Sequence, residues 1–554
     1  MKTLIKTAVL LLAAGHVQAQ TLQDALKLTD NERYSMATAA YKKLVQAEPN
    51  NGDYYFWYGE NYLKSGYNDS ALIVFKEGDA LNASNPLTKV GLGRYYAYTG
   101  KNTEATKYFQ EAKMLMQTQA KSIPTSKQAV IYLQIAEAWV NGPTKNLDEA
   151  NNLLAAAEKL DAKNADVHML RGDVFATDVM NGSKAIASYK KAKEINPKLC
   201  QADYRIGILW INAKNLMLAI EAFDQAIACD PTYAPAYRGK AEALYRQKNY
   251  KGGVENYEKY LNLNAGDPDA LGRYGTFLYL IGEYEKAIEM ISSAQQRDTS
   301  VVVLYRILNW SQFETGKYEQ ALVNNDKFLA KAKAKGRPAV ISDDYEYRGK
   351  IYSKLKKDSL GVIELNKAYE LDSSRKELLY SMAVMSFTAK KYNDAVNYLL
   401  RKKNAGAKMA ANDYNYLGRS YYFLEKYVDG DSAFAKVVEL SPTYIQGYYW
   451  RGRCNMKLDP TNKEGKARPY LEKVVELGAA DPVKNKRELT DAYGNLGQYH
   501  YNNGNFGCTK AYMEALQKID PENAAAKQIL GYDNVKKATA ADLTTCVLPP
   551  APGK

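Results

Sequence analysis

Residues Tyr274–Ser300 read YGTFLYLIGEYEKAIEMISSAQQRDTS. The chain before and after says nearly the same thing. Gly239–Asp267 reads GKAEALYRQKNYKGGVENYEKYLNLNAGD, and Leu308–Ala334 reads LNWSQFETGKYEQALVNNDKFLAKAKA. Tyr250, Tyr284 and Tyr318 are evenly spaced, and Ala287 and Ala321 share their spacing. A fixed period of this length marks a repeat architecture, in which each unit is one small supersecondary block stacked on the next.

Outward from this stretch the same marks recur. DYRIGILWINAKNLMLAIEAFDQAIACDP ends at Pro231, and YNYLGRSYYFLEKYVDGDSAFAKVVELSP ends at Pro442. Gly207, Gly275 and Gly418 fall inside apolar helical patterns, where glycine is otherwise costly; there it lets a partner helix approach. Ala219, Ala287 and Ala395 do the same from the following segment, and rings at Phe223, Tyr257 and Phe434 fill the space between. Gly100, Gly282, Gly316 and Gly504 are placed for turns. Pro49, Pro197, Pro231, Pro442 and Pro521 stop one unit and open the next.

This pattern resembles the tetratricopeptide repeat, a helix–turn–helix unit. The resemblance implies an all-α fold, a right-handed superhelical α-solenoid of about 14 repeats running from residue 21 to about 522. Three places disturb the period: Gln117–Lys127, Ala330–Ile341 and Gly478–Arg487. The expected organisation is a signal peptide over 1–19, an N-terminal array over 20–329, and a basic linker or repeat break over 330–341. A C-terminal array over 342–522 follows, with a capping helix near Glu522–Lys537 and an irregular tail to 554.

Composition agrees with one repeated architecture. The 554-residue chain holds 46 Tyr but 12 Phe and 3 His. Its 46% hydrophobic and 25% charged residues are ordinary for a folded protein, which excludes wholesale disorder. The net charge of +13 is unevenly spread. Residues 20–300 hold 33 basic and 33 acidic side chains, while 301–554 hold 40 and 29. The basic half suits an acidic partner or simply a lysine-rich solvated surface. No dense Arg and Lys run marks a nucleic-acid stripe.

The N-terminus reads MKTLIKTAVLLLAAGHVQAQ. Lys2 and Lys6, the apolar run Ala8–Ala14 and the small residues at Val17 and Ala19 have the order of a secretory signal peptide. The run is too short to span a bilayer. No cysteine follows the cleavage site and no later apolar stretch is long enough, so neither a lipid anchor nor a transmembrane segment is expected. The expected location is the periplasm or outer envelope of a Gram-negative cell.

The family geometry lines a concave groove with first helices. It places Arg306, Trp310, Phe313, Lys350, Tyr380, Phe387, Arg419, Tyr422, Tyr449 and Arg453 there in the basic half, and Phe56, Arg94, Tyr204, Arg238 and Tyr245 in the neutral half. Arg and Tyr dominate binding hot spots, although the repeat itself demands much of the tyrosine. No first helix carries in register the Lys-then-Asn pair with which some members grip a C-terminal carboxylate. The repeat also brings Cys200, which opens a first helix, beside Cys229, near the end of the second; these two are the expected disulfide. Fold-back of the tail would pair Cys508 with Cys546, leaving Cys454 as the odd thiol.

Catalysis is not expected. His168 and His500 stand roughly nine repeats apart, no CxxC or phosphate-loop spacing is present, and repeats consume nearly the whole chain. No cofactor or metal is implied. The expected function is a non-enzymatic protein–protein scaffold of the cell envelope. The alternative is a solenoid that binds an acidic glycan or cell-wall polymer in polysaccharide export or envelope assembly.

Overall fold

The computed structural model describes residues 21–335, 338–539 and 546–547. Residues 1–19, where a signal peptide is expected, and most of the tail lie outside them. Among the described residues there are thirty α-helices, one short 3-10 turn and no strand. The first 28 helices run as fourteen successive pairs, from Leu22–Asp30 with Tyr34–Ala47 to Lys486–Asn502 with Phe506–Ile519.

Local chemistry starts and ends these helices. Asn51, Asn85, Asn164 and Asp267 cap first helices, their side chains accepting a backbone N–H two residues on. Asn146, Asn215, Asn249 and Asn505 cap second helices in the same manner, three residues on. This supplies acceptors for amides that have no intrahelical partner. The turn inside a pair needs one left-handed residue. Gly100 takes it at φ 78°, but Glu32, Lys214, Lys248, Lys356, Lys390 and Glu425 also adopt φ between 58° and 64°. The turn therefore imposes its geometry even where glycine is lacking.

Packing explains the repeated glycines. A Cβ on Gly59 would lie 2.1 Å from the ring of Phe75, and one on Gly207 2.6 Å from Phe223. The rings that mark the period, including Phe75, Phe223 and Phe434, are wholly buried.

Two of the three period breaks are taken up in part by longer helices, while 479–485 remains a loop. Asn102–Thr118 and Thr125–Asn141 are each 17 residues long and shrink the first break to a short loop. The basic segment over 330–341 is not a linker throughout. The helix Tyr318–Lys335 runs on through its Ala and Lys residues, which are strong helix formers, before Ser342 opens the next helix. The expected capping helix is two pieces, Ala524–Leu530 and Asp533–Lys536, interrupted at Gly531.

The chain divides into two compact units, 1–311 and 312–554, earlier than the sequence suggested. Within the first unit the stack curls until its beginning meets its own later pairs. Lys27 pairs with Asp230 at 3.1 Å, and Arg33 donates to the Thr232 carbonyl. The Ser35 amide donates to Asp267, and the Tyr67 hydroxyl donates to Asp298. At the centre of this seam Glu32 accepts from Arg238 at 2.6 and 3.1 Å and from the Tyr260 hydroxyl at 3.0 Å.

Two disulfides are present. Cys200–Cys229 and Cys508–Cys546 each have a Cα separation of 5.5 Å, and Cys454 is a buried free thiol. Among the described residues no helix is long and apolar enough to cross a membrane.

Candidate functional site

In the first unit the side chains that face inward from first helices are spent on one another. Arg94 donates to Glu60 at 2.6 Å, to Glu137 at 3.0 Å and to the Gln134 carbonyl at 2.8 Å. Two carboxylates share one guanidinium here. Burial pushes the enclosed Glu60 carboxyl above its ordinary range against the pull of Arg94. Beside this triad lies a small cavity of about 150 Å³, lined also by Lys64, Tyr98 and Asn141.

Arg238 is held by Glu32 and also donates to the Tyr204 hydroxyl at 3.2 Å. Burial alone would raise the Glu32 carboxyl, but Arg238 and Arg273 outweigh it and hold it below the usual range. Tyr245 packs against Tyr250 and Phe277, and Phe56 is wholly buried against Trp57 and Phe75. The five groove residues expected in the neutral half thus serve internal packing and pairing. Arg306 lies buried over the ring of Trp310, which also meets Tyr279.

The second unit differs. Phe313 meets Tyr347 edge-on, and Lys350 lies over the same Tyr347 ring while paired to Glu346 at 2.6 Å. Tyr380 meets Tyr416 edge-on and carries the Lys402 ammonium over its face. Further along, a denser group forms from Phe387, Ala411–Phe423 and Ile445–Leu458. The Arg419 guanidinium sits 4.7 Å from the ring centre of Phe387 and 5.5 Å from that of Trp450. The Arg453 guanidinium sits 4.8 Å from Trp450 and 5.0 Å from Tyr422. Trp450 is itself backed by Phe434, with ring planes 13° apart.

Tyr422, Arg419 and Arg453 are half-buried. Tyr449 is only 2% exposed; it lies in the core, and its hydroxyl donates to Asp491 at 2.6 Å. Burial with that hydrogen bond pushes its phenol up to about 12. Neither Arg419 nor Arg453 makes an ion pair or hydrogen bond among the described residues, and the Arg419 Nε is buried without an acceptor. Two cations stacked on aromatic faces with their N–H edges unspent can receive anionic or hydrogen-bond-accepting groups. Trp450 and Phe423, the latter 44% exposed, complete this group but escaped the sequence reading. Their signal was present, since both neighbour residues that the reading did select.

A family model described as Tetratricopeptide repeat matches residues 238–300, the span on which the period is clearest, and the fourteen helix pairs extend that unit along the chain. Its helix pairs have the architecture of tetratricopeptide repeats. The mitochondrial import receptor subunit TOM70 of Rattus norvegicus is 24% identical over 222 residues, 38% of this chain and 36% of that protein. The DnaJ homolog subfamily C member 7 homolog of Schizosaccharomyces pombe is 21% identical over 309 residues, 52% of this chain and 65% of that protein. The chain thus spans about a third of the TOM70 length. Among solved structures, the C-terminal part of a TPR repeat-containing protein from Cytophaga hutchinsonii is 29% identical, covering 47% of this chain and 99% of its own, with a TM-score of 0.42. Yeast Tom70 is 12% identical over 75% of this chain and 98% of its own, with a TM-score of 0.33. Tetratricopeptide-repeat proteins are in general interaction scaffolds rather than catalysts.

Proposed function

We propose that this protein is an exported, non-enzymatic adaptor of the bacterial cell envelope that holds a protein partner on the first-helix face of its C-terminal unit. One observation carries the reading: Arg419 and Arg453 are presented on a bed of aromatic rings without a carboxylate of their own. Arginine and aromatic side chains clustered in a partly desolvated patch are the composition of binding hot spots. The patch lies in residues 301–554, whose basic surplus favours an acidic partner. Export is read from Lys2, Lys6, Ala8–Ala14 and the small residues before Gln20.

The test is affinity retention. Full-length chain is immobilised and exposed to envelope extract of the cells that make it, with Arg419→Gln/Arg453→Gln beside it. The reading requires a protein retained by the wild type and depleted on the variant. Retention of nothing, or of the same proteins by both, sinks it.

A second reading, an acidic-glycan-binding solenoid, draws on the exposed ring of Phe423, which stacks on Tyr392 at 4.9 Å with planes 17° apart. Such a face can lie against a sugar ring. Retardation in a gel cast with an acidic polysaccharide, lost in Phe423→Ala, would favour it over a protein partner.

A further inference from the structure

First helices of this chain share one register, and the register compares the two units directly. Glu60, Arg94, Met385, Arg419 and Arg453 are each the ninth residue of their helix. In four of them the preceding residue is a glycine pressed on the second helix: Gly59 on Phe75, Gly93 on Phe109, Gly418 on Phe434 and Gly452 on Leu471. Glu137 and Gln498 hold the same place in helices that begin one turn earlier, Thr125–Asn141 and Lys486–Asn502.

In the first unit three successive pairs carry Glu60, Arg94 and Glu137 at this place. The cation is bonded by carboxylates from both neighbours. In the second unit four successive pairs carry Met385, Arg419, Arg453 and Gln498. Two cations stand on adjacent repeats with a thioether on one side and an amide on the other. Both guanidinium groups lie over the one Trp450 ring, so a single ligand segment can reach the two together. The acids nearby are committed elsewhere. Asp431 accepts from Arg451 and Asn455, and Asp491 accepts from Tyr449.

Resting on the reading of this face as partner-binding, we propose that its occupant is an acidic polypeptide segment. Its Asp or Glu side chains take the places around Arg419 and Arg453 that Glu60 and Glu137 take around Arg94. The chain itself shows what this register position accepts when it is filled. The rings cover the guanidinium faces and leave the planar N–H edges for carboxylates, an arrangement that favours Arg over Lys. Because the site is only half-buried, the attraction is screened by salt.

The test uses fluorescence polarisation with full-length chain and two labelled synthetic peptides, one of alternating Glu and Ala and one of alternating Gln and Ala. The Glu peptide should bind at low salt, weaken as salt is added, and exceed the Gln peptide by about tenfold or more. R419Q/R453Q should lose about tenfold or more. R419K/R453K, which keeps the charge but not the planar fork, should fall between. The single variants R419Q and R453Q, checked by thermal melting, give the same reading should the double variant fail to fold. Equal binding of the two peptides, or wild-type affinity in folded R419Q and R453Q, overturns the proposal. So does arginine-dependent binding of a polyuronate or a phosphoserine peptide in place of the Glu peptide. An envelope protein retained by the wild type and depleted on R419Q/R453Q, without binding of the Glu peptide, overturns this inference and spares the adaptor reading. Glutamate-peptide binding that needs both arginines supports it even where no envelope protein is retained.

Discussion

Burial governs the chemistry of Cys454 and His500. The Cys454 thiol is wholly buried, and burial with the Asp431 carboxylate pushes it up to about 12. Its thiolate, the reactive form, is scarce at neutral pH. The other four cysteines are in disulfides, so a thiol reagent should find no reactive group in the native protein. It should find one per chain after unfolding without reductant; prompt labelling of native protein would contradict the burial. His500 is pushed down to about 4 by burial with help from Arg468, so it stays neutral and carries no charge to a partner. Glycine substitutions test the packing. Gly59→Ala would drive a Cβ into Phe75 and should cost about 1–3 kcal/mol in denaturant unfolding. Gly182→Ala, with helical dihedrals and no atom within 4 Å of the added carbon, should be neutral or stabilise by up to about 1 kcal/mol. The sequence made these glycines and rings legible because they recur from one repeat to the next. It did not separate Tyr449 and Phe56 from the accessible face. A tyrosine or phenylalanine on a first helix reads alike whether it points to the neighbouring pair or to the groove.

Among the elements, the first helix pair is held by a seam of charge rather than by an apolar face alone. Glu32, 13% exposed at its side chain, sits between Arg238 and Tyr260. Glu32→Gln removes the charge and leaves Arg238 partly desolvated, at a cost of about 1–3 kcal/mol. Amide exchange should therefore quicken over 22–47 while the later pairs keep their protection, as expected of a stack that opens locally. The seam also carries a pH signature. Burial, then the neighbouring Asp267, pushes Asp269 from its ordinary 3.8 up to about 7, against the pull of Arg273. A raised carboxyl binds its proton more tightly when folded. Its contribution is full below 3.8 and is lost as pH rises through about 7. Glu32 is held low, so its contribution is present above its ordinary 4.5 and lost as pH falls below it. The melting temperature should therefore rise as pH falls from about 8 to about 5.5, and Asp269→Asn should flatten that rise. A separate element, the Cys200–Cys229 bridge, spans 29 residues, and its reduction should cost roughly 3–4 kcal/mol. The helix pairs and this bridge were legible, since both follow from one repeat. The seam was not, because it joins residues some 200 positions apart and depends on how far the stack curls per repeat.

At the scale of the whole molecule, one repeated unit has been put to two uses. In the first unit the register residues satisfy one another, Glu60 with Arg94 with Glu137, and Glu32 closes the stack on Arg238. In the second unit the same register presents Arg419 and Arg453 unpaired. The charge count separated a neutral half from a basic half, and Arg419 and Arg453 lie in the basic half. It could not locate the division between the compact units. The lysine-rich segment over 330–341 reads as a basic linker or a repeat break; its Ala and Lys residues carry a helix to Lys335, and the compact units divide near 311. The central claim is that a protein partner occupies the face where Arg419 and Arg453 stand. It is tested most directly by placing a photo-crosslinking amino acid at Phe423, which is exposed beside both arginines, and irradiating living cells. A single protein adduct formed at 423, and lost in R419Q/R453Q, is the predicted result. No adduct at 423, or the same adduct with and without the two arginines, would contradict it.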